Sequence, residues 1–348
     1  MDTILKSVPV MGRDQTEQPM STSASDTAHP TPHGRFGFQQ GDPVWLAYCR
    51  VGGRHVGALA ALIVFPPTWA LVKLLLVSYL VRIWAMEAVY HRYFSHASYR
   101  ANRPVQFLLA LIGTQCGQRG PLWWASTHRT HHQHADRPGD PHSPTQGGFL
   151  HAHARWLTQR KQLGTDLDRV ADYARYPELR WLNRYYWVPL YLAVPALWLA
   201  GEAGWLGDGV SGWAAVLWGG YLPTTLALHM TSLVNSIGHM PNIPGGYRRF
   251  QSLPDRSVNR PLLALLMLGA GWHNNHHRFG GGARAGFAWY EPDPVYWSLR
   301  VLAALGVISN LKGSIPASIL REGGLSERAD AKIEDSRDLP PTGASETR

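Results

Sequence analysis

The sequence predicts an all-α integral membrane bundle. It has about four transmembrane helices in two hairpins and a histidine-rich helical cap on the cytosolic side. Three observations predict this. Four apolar runs approach the ~20 residues that cross a bilayer. Lys and Arg gather in the segment between the first hairpin and the second. Four histidine clusters lie on that same basic side. The chain has 348 residues, a formal net charge of +9 and 45% hydrophobic residues.

Residues 1–42 are polar and rich in Ser, Thr and Pro, and have no basic start before an apolar core. They read as a disordered tail rather than a signal peptide. The first span runs from about Leu46 to Phe65, where Arg50, Arg54 and His55 weaken its first half unless their side chains snorkel. Pro66-Pro67 makes the turn. The second span, Thr68 to Tyr90, qualifies despite Lys73 and Arg82. The third, Tyr185 to Ala200, is short and contains Pro189 and Pro195. The fourth, Val210 to Ile237, is long enough to bend at Pro223. The runs Val105 to Ile112 and Pro261 to Leu268 are too short to span, and lie at the interface or cap the bundle. The membrane domain is thus 43–322, followed by a second polar tail, 323–348.

Orientation follows from basic residues. Arg155, Arg160, Lys161, Arg169, Arg175, Arg180 and Arg184 fall between the hairpins, while the Pro66-Pro67 turn and the loop after Ala200 carry no Lys or Arg. The tight turns face outward, and both termini are cytosolic. Positive charge placed this way forms no nucleic-acid stripe, so no nucleic-acid partner is expected. Only two cysteines occur, Cys49 and Cys116. Without a CxxC pair, a zinc ribbon, a rubredoxin, a Cys-ligated cluster and a disulfide framework are excluded.

The clusters are "HRYFSH" with His91 and His96, "HRTHH" with His128, His131 and His132, "NSIGH" with Asn235 and His239, and "HNNHH" with His273, His276 and His277. The two-hairpin topology brings all of them to one face. On a helix, positions i, i+3 and i+4 share a side, so "HRTHH" and "HNNHH" can each aim two or three imidazoles at one centre. The i to i+5 spacing of His91 and His96 suits a helix end, with His96 just beyond it. Asn274 and Asn275 are spacers or supporting donors. Nine imidazoles exceed the needs of one ion; two ions with four or five ligands each would use them. Oxidation of an unactivated C–H bond in a lipid chain needs redox-active metal beside an apolar bundle, and hydrolysis does not.

The order HxxxxH, HxxHH, NSxxH, HNxHH resembles the membrane fatty acid desaturases of the stearoyl-CoA (Δ9) type, in a bacterial-like form. The resemblance covers roughly residues 45 to 320. It includes "YHRYFSHASYR", "GPLWWASTHRTHHQHADRPGDPHSP", "LVNSIGH" and "GWHNNHHRF". It implies two Fe ions held by His91, His96, His128, His131, His132, His239, His273, His276 and His277, with Asn235 reaching one iron through water. It implies O2 as co-substrate and a cis double bond, most simply Δ9, placed in a fatty acyl-CoA or membrane lipid. It also implies integration in a bacterial inner membrane with the metal site cytosolic. Two electrons must come from a ferredoxin or cytochrome b5-like donor with its reductase.

Two positions depart from the family pattern. Ala270 stands where relatives carry Glu, and Glu87 stands where they carry a small or hydroxyl residue. Glu87, at i−4 from His91, is expected to supply the missing carboxylate. Asp136, Asp140 and His153 are expected to orient ligand imidazoles, although Asp136 and Asp140 equally suit a cap on the turn "RPGDPHSP". His134, His142 and His151 read as surface residues, and His229 as a hydrogen-bonded core histidine. Tyr79, three turns above His91 and so ~18 Å deep, is expected to stop the acyl chain. Trp123 and Trp124 line the tunnel mouth or anchor the interface. Two alternatives stay open: a lipid or fatty acid hydroxylase on the same scaffold, and a metal transport or storage membrane protein.

Overall fold

The structure, a computed structural model, describes residues 35–325. The tail segments 1–34 and 326–348 lie outside the described residues. Residues 35–42, counted with the first tail, are part of the folded body instead. Phe38–Gln39 (β1) pairs antiparallel with Thr165–Asp166 (β2). The Phe36 and Gly37 N–H groups donate to the Asp168 carboxylate at 2.8 and 3.0 Å. Phe36 packs against the main core, which explains why this polar-looking stretch is held.

Helices dominate the rest. The first, α1, spans Val44–Val64 and ends before Pro66-Pro67. The second, α2, runs unbroken over Trp69–Ser95, opened by Thr68, whose side chain accepts from the Leu71 N–H at 3.3 Å. Among the described residues, α2 is the one helix long and apolar enough to cross a membrane. Its neighbours meet that standard less well for visible reasons. Arg50, Arg54 and His55 interrupt α1. Trp187–Glu202, the third expected span, has 16 residues. The fourth is a continuous helical path through Gly212–Val216, Leu217–Tyr221 and Leu222–Asn235, with a π-turn in the middle. This path packs against α1, α2 and Trp187–Glu202 at once.

The end of α2 departs from α-helical form. Ala85–Ser95 is π-helical, with backbone bonds running i to i+5, and every one of its residues is buried. The His96 N–H donates to the His91 carbonyl at 3.2 Å. A five-residue spacing therefore closes about one turn here, as it could not on an α-helix. His96 ends the helix, in keeping with its spacing, and the π-turn puts it back on the side of His91.

Tertiary bonds hold this segment. Arg129 donates to the Phe94 and Ser95 carbonyls at 2.8 Å each, which satisfies carbonyls that the helix end leaves open. Arg92 pairs with Asp293 at 2.8 Å, both side chains 3% exposed. The aromatic rings of Tyr93, Phe94, Tyr99 and Tyr173 pack around it in edge and tilted contacts of 4.9 to 5.3 Å.

The two short apolar runs form Arg103–Thr114 and Pro261–Leu266, neither long enough to span. Asp293→Ala should strand a buried guanidinium and cost about 3–5 kcal/mol. The check is thermal melting in detergent, and melting at the wild-type temperature would show that the pair carries no such weight.

Candidate metal centre

The nine imidazoles gather in two buried groups. His91, His96, His128, His132 and His276 form one, and His131, His239, His273 and His277 the other. Within each group the ligand-capable nitrogens all lie within 4.8 Å of one another. The split corrects the expectation that each cluster aims at a single centre. His128 and His132, four apart, share one group, and the intervening His131 serves the other. His273 and His277 share the second group while His276 joins the first. One residue along a helix turns a side chain by about 100°, so consecutive histidines feed neighbouring sites.

Hydrogen bonding alone does not account for the crowding, because the Nε2 atoms of His276, His128 and His273 each face two others and one proton serves one such pair. Nε2 to Nε2 distances are 3.0 Å for His91–His276, 2.9 Å for His96–His128 and 2.9 Å for His132–His276. In the second group they are 2.8 Å for His239–His273, 3.1 Å for His273–His277 and 3.4 Å for His131–His277. Two nitrogens bound to one ion at about 2.1 Å, at right angles, stand about 3 Å apart.

Proton placement strengthens this reading. A neutral imidazole has one N–H. Nδ1 of His131 lies 3.0 Å from both Asp140 oxygens, and Nδ1 of His277 lies 3.2 Å from Asp255. Each N–H must point at its carboxylate, because a carboxylate only accepts. With both rings neutral, the facing Nε2 atoms of His131 and His277 present lone pairs to each other; burial holds His277 neutral, while at His131 burial is outweighed by Asp140, which pushes its pKa up. A cation resolves that contact. His239 and His91 are held the same way, by Asp136 at 2.8 Å and Glu87 at 2.9 Å. These are donor sets that fit a transition metal, with their outer nitrogens fixed by carboxylates.

Glu87 thus stands as a supporting carboxylate to His91. It lies on Nδ1 of His91, the side away from the nitrogen group, and Ala270 packs among Ile83, Ala227, Val234, Leu263 and Met267. Asp136 and Asp140 do both things that their sequence allowed. Asp140 holds His131 and accepts from the Asp136 and His142 N–H groups at 2.9 and 3.1 Å. Asp136 holds His239 and accepts from the Ser143 hydroxyl and the Arg256 N–H at 2.8 Å each. Burial pushes its pKa up, but these bonds, His239 first, outweigh burial and hold it down at about 2.

Asp255 had no signal in the sequence, since its partner His277 is 22 residues away in an unrelated loop. His142 is not a surface residue; it is 4% exposed and stacks on His131 at 4.4 Å between centroids. His153 touches none of the nine. Its Nε2 meets His229 Nδ1 at 3.0 Å, and His229 in turn meets His55 at 3.0 Å. Asn235 closes its helix, half-buried, and makes no side-chain hydrogen bond among the described residues.

"HNNHH" sits on a six-residue helix, His273–Arg278, fixed from outside. Asn259 Oδ1 accepts from the Asn274 and Asn275 N–H groups at 2.9 and 3.1 Å, a cap lent by a distant segment. Asn275 donates to Glu291 at 3.0 Å, and Asn274 to Ser257 at 3.2 Å. Both asparagines are fully buried anchors rather than spacers.

The fatty acid desaturase family model matches residues 67–307. The chain belongs to the fatty acid desaturase family. It is 34% identical over 267 residues to the sn-1 stearoyl-lipid 9-desaturase of Anabaena variabilis, covering 75% of this chain and 90% of that protein. It is 35% identical to the sn-2 palmitoyl-lipid 9-desaturase of a Nostoc species, covering 65% and 76%. It is 32% identical to an acyl-CoA 5-desaturase of Anemone leveillei, covering 77% and 79%. The protein is thus an oxidoreductase of the desaturase class.

The desaturase's aromatic pair divides. Trp124 stacks on His128 at 4.7 Å and edges His91 at 6.0 Å, beside the first nitrogen group. Trp123 points away, stacked on Trp156 at 5.9 Å with its indole N–H on the Gln162 carbonyl at 2.7 Å. Tyr79 donates to the Leu266 carbonyl at 2.9 Å, bridging α2 to Pro261–Leu266.

Burial first, then repulsion between neighbouring imidazoles, pushes His96, His128, His132, His273, His276 and His277 well below the usual imidazole pKa. Their unfolded values lie at about 6.5. Below that pH the unfolded chain binds more protons than the fold, so metal-free stability is complete above about 6.5 and falls as pH drops. Metal opposes the loss, because it competes with protons for the same nitrogens. Melting temperatures of metal-free and metal-loaded protein across this range check it; equal melting of metal-free protein on both sides of pH ~6.5 would refute it. Asp140→Asn should weaken metal retention by about tenfold or more, read as metal per chain after dialysis against a chelator, with wild-type retention as the contrary result.

Proposed function

We propose that this protein is a membrane-bound di-iron acyl desaturase. It uses O2 and two electrons to place a cis double bond, at Δ9, in a fatty acyl chain. The convergence of nine imidazoles into two groups, each with its ligand-capable nitrogens within 4.8 Å of one another, carries the reading. On this reading His91, His96, His128, His132 and His276 hold one iron. His131, His239, His273 and His277 hold the other, with Asn235 beside it through water. Bound iron supplies the activation of O2 that removal of two hydrogens from an unactivated chain requires. Two hydrogens from the chain, two electrons and two protons reduce O2 to two waters.

The protein's own residues prepare that chemistry. Glu87, Asp136, Asp140 and Asp255 keep the protons on Nδ1 and leave Nε2 free. Burial favours the neutral form of His96, His128, His132, His273, His276 and His277 and keeps bulk water away. Trp124 walls the first group. Position 9 is favoured because two of the similar relatives named above act at that position, on lipid-linked chains; the acyl-CoA 5-desaturase shows that both position and carrier vary within this similarity.

A four-span arrangement is part of the proposal. Exposed apolar side chains recur on all four helices: Ile63 on α1, Val77 on α2, Leu192 on Trp187–Glu202 and Leu226 on Leu222–Asn235. A soluble protein rarely shows so broad an apolar belt. The basic segment between the hairpins supports a metal face and both termini in the cytosol, in a bacterial inner membrane.

Expression in a host with a compatible reductase should yield fatty acids with a new double bond at carbon 9, located by mass spectrometry. Purified protein should carry two irons per chain. His276→Ala should abolish the product, and Tyr79→Ala should shift it toward longer chains. Iron-loaded wild type that makes no new unsaturation, or full activity in His276→Ala, would overturn the proposal.

A further inference from the structure

The proposed reaction consumes two electrons, and the chain offers no cysteine motif for a redox group of its own. Electrons must enter from outside. A large open cleft lies on the far side of the π-helical end of α2 from the nitrogen groups. Its floor includes Tyr93 and Tyr99, and its rim includes Arg100, Arg175 and Lys312.

Three features make this cleft a built one. First, its rim is basic without compensation. Asp172 is the carboxylate among its lining residues, and Arg129 holds it at 2.8 and 2.9 Å. Arg100, Arg175 and Lys312 are exposed, and none forms a salt bridge among the described residues. Secondly, Gln106 lines the cleft at 3% exposure with its amide Nε2 unbonded, while its Oε1 accepts from the Tyr93 hydroxyl at 3.0 Å. A buried amide donor without an acceptor is costly in a finished structure, so it marks a place where an acceptor arrives. Thirdly, the wall between cleft and nitrogens is one helix thick. Tyr93 lies between His91 and His96 in sequence, and Ala97, also in the lining, follows His96 directly. A helix with its side chains is about 10–12 Å across. The floor is aromatic throughout, with Tyr93 against Tyr99 at 4.9 Å and Tyr173 at 5.3 Å.

We propose that this cleft is the docking site for a small acidic one-electron carrier protein, whose surface carboxylates pair with Arg100, Arg175 and Lys312 and offer an acceptor oxygen to Gln106. The inference rests on the redox reading above. A carrier seated there donates one electron per encounter, across the π-helix, and two encounters complete one turnover. Charge at the rim steers the encounter, and the aromatic floor takes the apolar centre of the contact. The polar rim and open mouth suit a transient partner that must leave after each electron.

The test compares wild type with the double reversal Arg175→Glu/Lys312→Glu and with Gln106→Leu, each as full-length protein in detergent. The carriers are a plant-type [2Fe–2S] ferredoxin and a soluble cytochrome b5 domain, so the two arms distinguish an iron–sulfur from a haem donor. Affinity is measured directly by titration, and reduction of the metal centre is followed with each carrier and with dithionite, which needs no docking. The double reversal should weaken binding of at least one carrier by about tenfold or more and flatten its salt dependence. Gln106→Leu should weaken it less. Carrier-driven reduction should slow in parallel, and dithionite reduction should keep its wild-type rate. Unchanged carrier affinity in the double reversal would overturn the inference, and so would equal slowing with dithionite and carrier. Failure of the desaturase reading shows separately, as absence of product from iron-loaded wild type whatever its carrier affinity.

Discussion

Imidazole nitrogens crowded face to face, His131 Nε2 against His277 Nε2 among them, express the constraint on which the rest of the structure depends. Such a contact is repulsive unless a cation sits in it. The fold nevertheless builds it, and fixes it from behind. Carboxylates of Asp140 and Asp255 hold the outer nitrogens, and Asp136 and Glu87 do the same for His239 and His91. Protonating the imidazoles would relieve the lone-pair contact but bury several like charges together. Burial and mutual repulsion oppose that at His128, His276 and His277, while Asp140 favours the charged form of His131 alone. Metal binding satisfies the crowded nitrogens without burying several like charges, so the arrangement reads as a preformed ion site.

Preforming it requires support well beyond the ligands. His91 and His96 reach the first group through a π-turn that Arg129 and the Arg92–Asp293 pair stabilise from outside. His273, His276 and His277 stand on a six-residue helix that would be marginal alone. Asn259 caps it, and Glu291 gathers Asn275, Arg249 and the Phe287 and Ala288 N–H groups around it. Each ligand element is therefore short or irregular, and each is positioned by polar bonds to segments distant in sequence.

That division explains what the sequence made legible. The nine histidines were visible because i, i+4 spacing on a helix is a local rule, and Asp136 and Asp140 lie close enough to "HRTHH" to suggest themselves. Asp255, His142 and Asn259 were not visible. Their partners are set by chain crossings that leave no periodic trace. The π-turn was likewise hidden, because its register follows from packing around Tyr93 and Phe94 rather than from composition. The order of the helices could be read from apolar runs. The ordered Phe36–Gln39 stretch could not, because its stability comes from Asp168 and β2. Glu87 stands out in the sequence, yet its role does not follow from position alone. The i−4 spacing fixes His91 as its neighbour, and only the ring orientation of His91 decides which nitrogen it meets.

The π-helical end of α2 also has two unlike faces. One presents His91 and His96 to the buried nitrogen groups, and the other carries Tyr93 toward a basic cleft open to solvent. The π-turn helps both. It brings a five-residue spacing back to one side for His91 and His96, and it leaves the intervening residues free to face the other way. An acyl chain and an electron donor make opposite demands, the one for an apolar and dry approach, the other for a charged and wet one. On the proposed reading, a single helix between the two lets both reach the same centre without sharing a path. Ala270 lies on the apolar side of this division, packed with Ile83 and Met267.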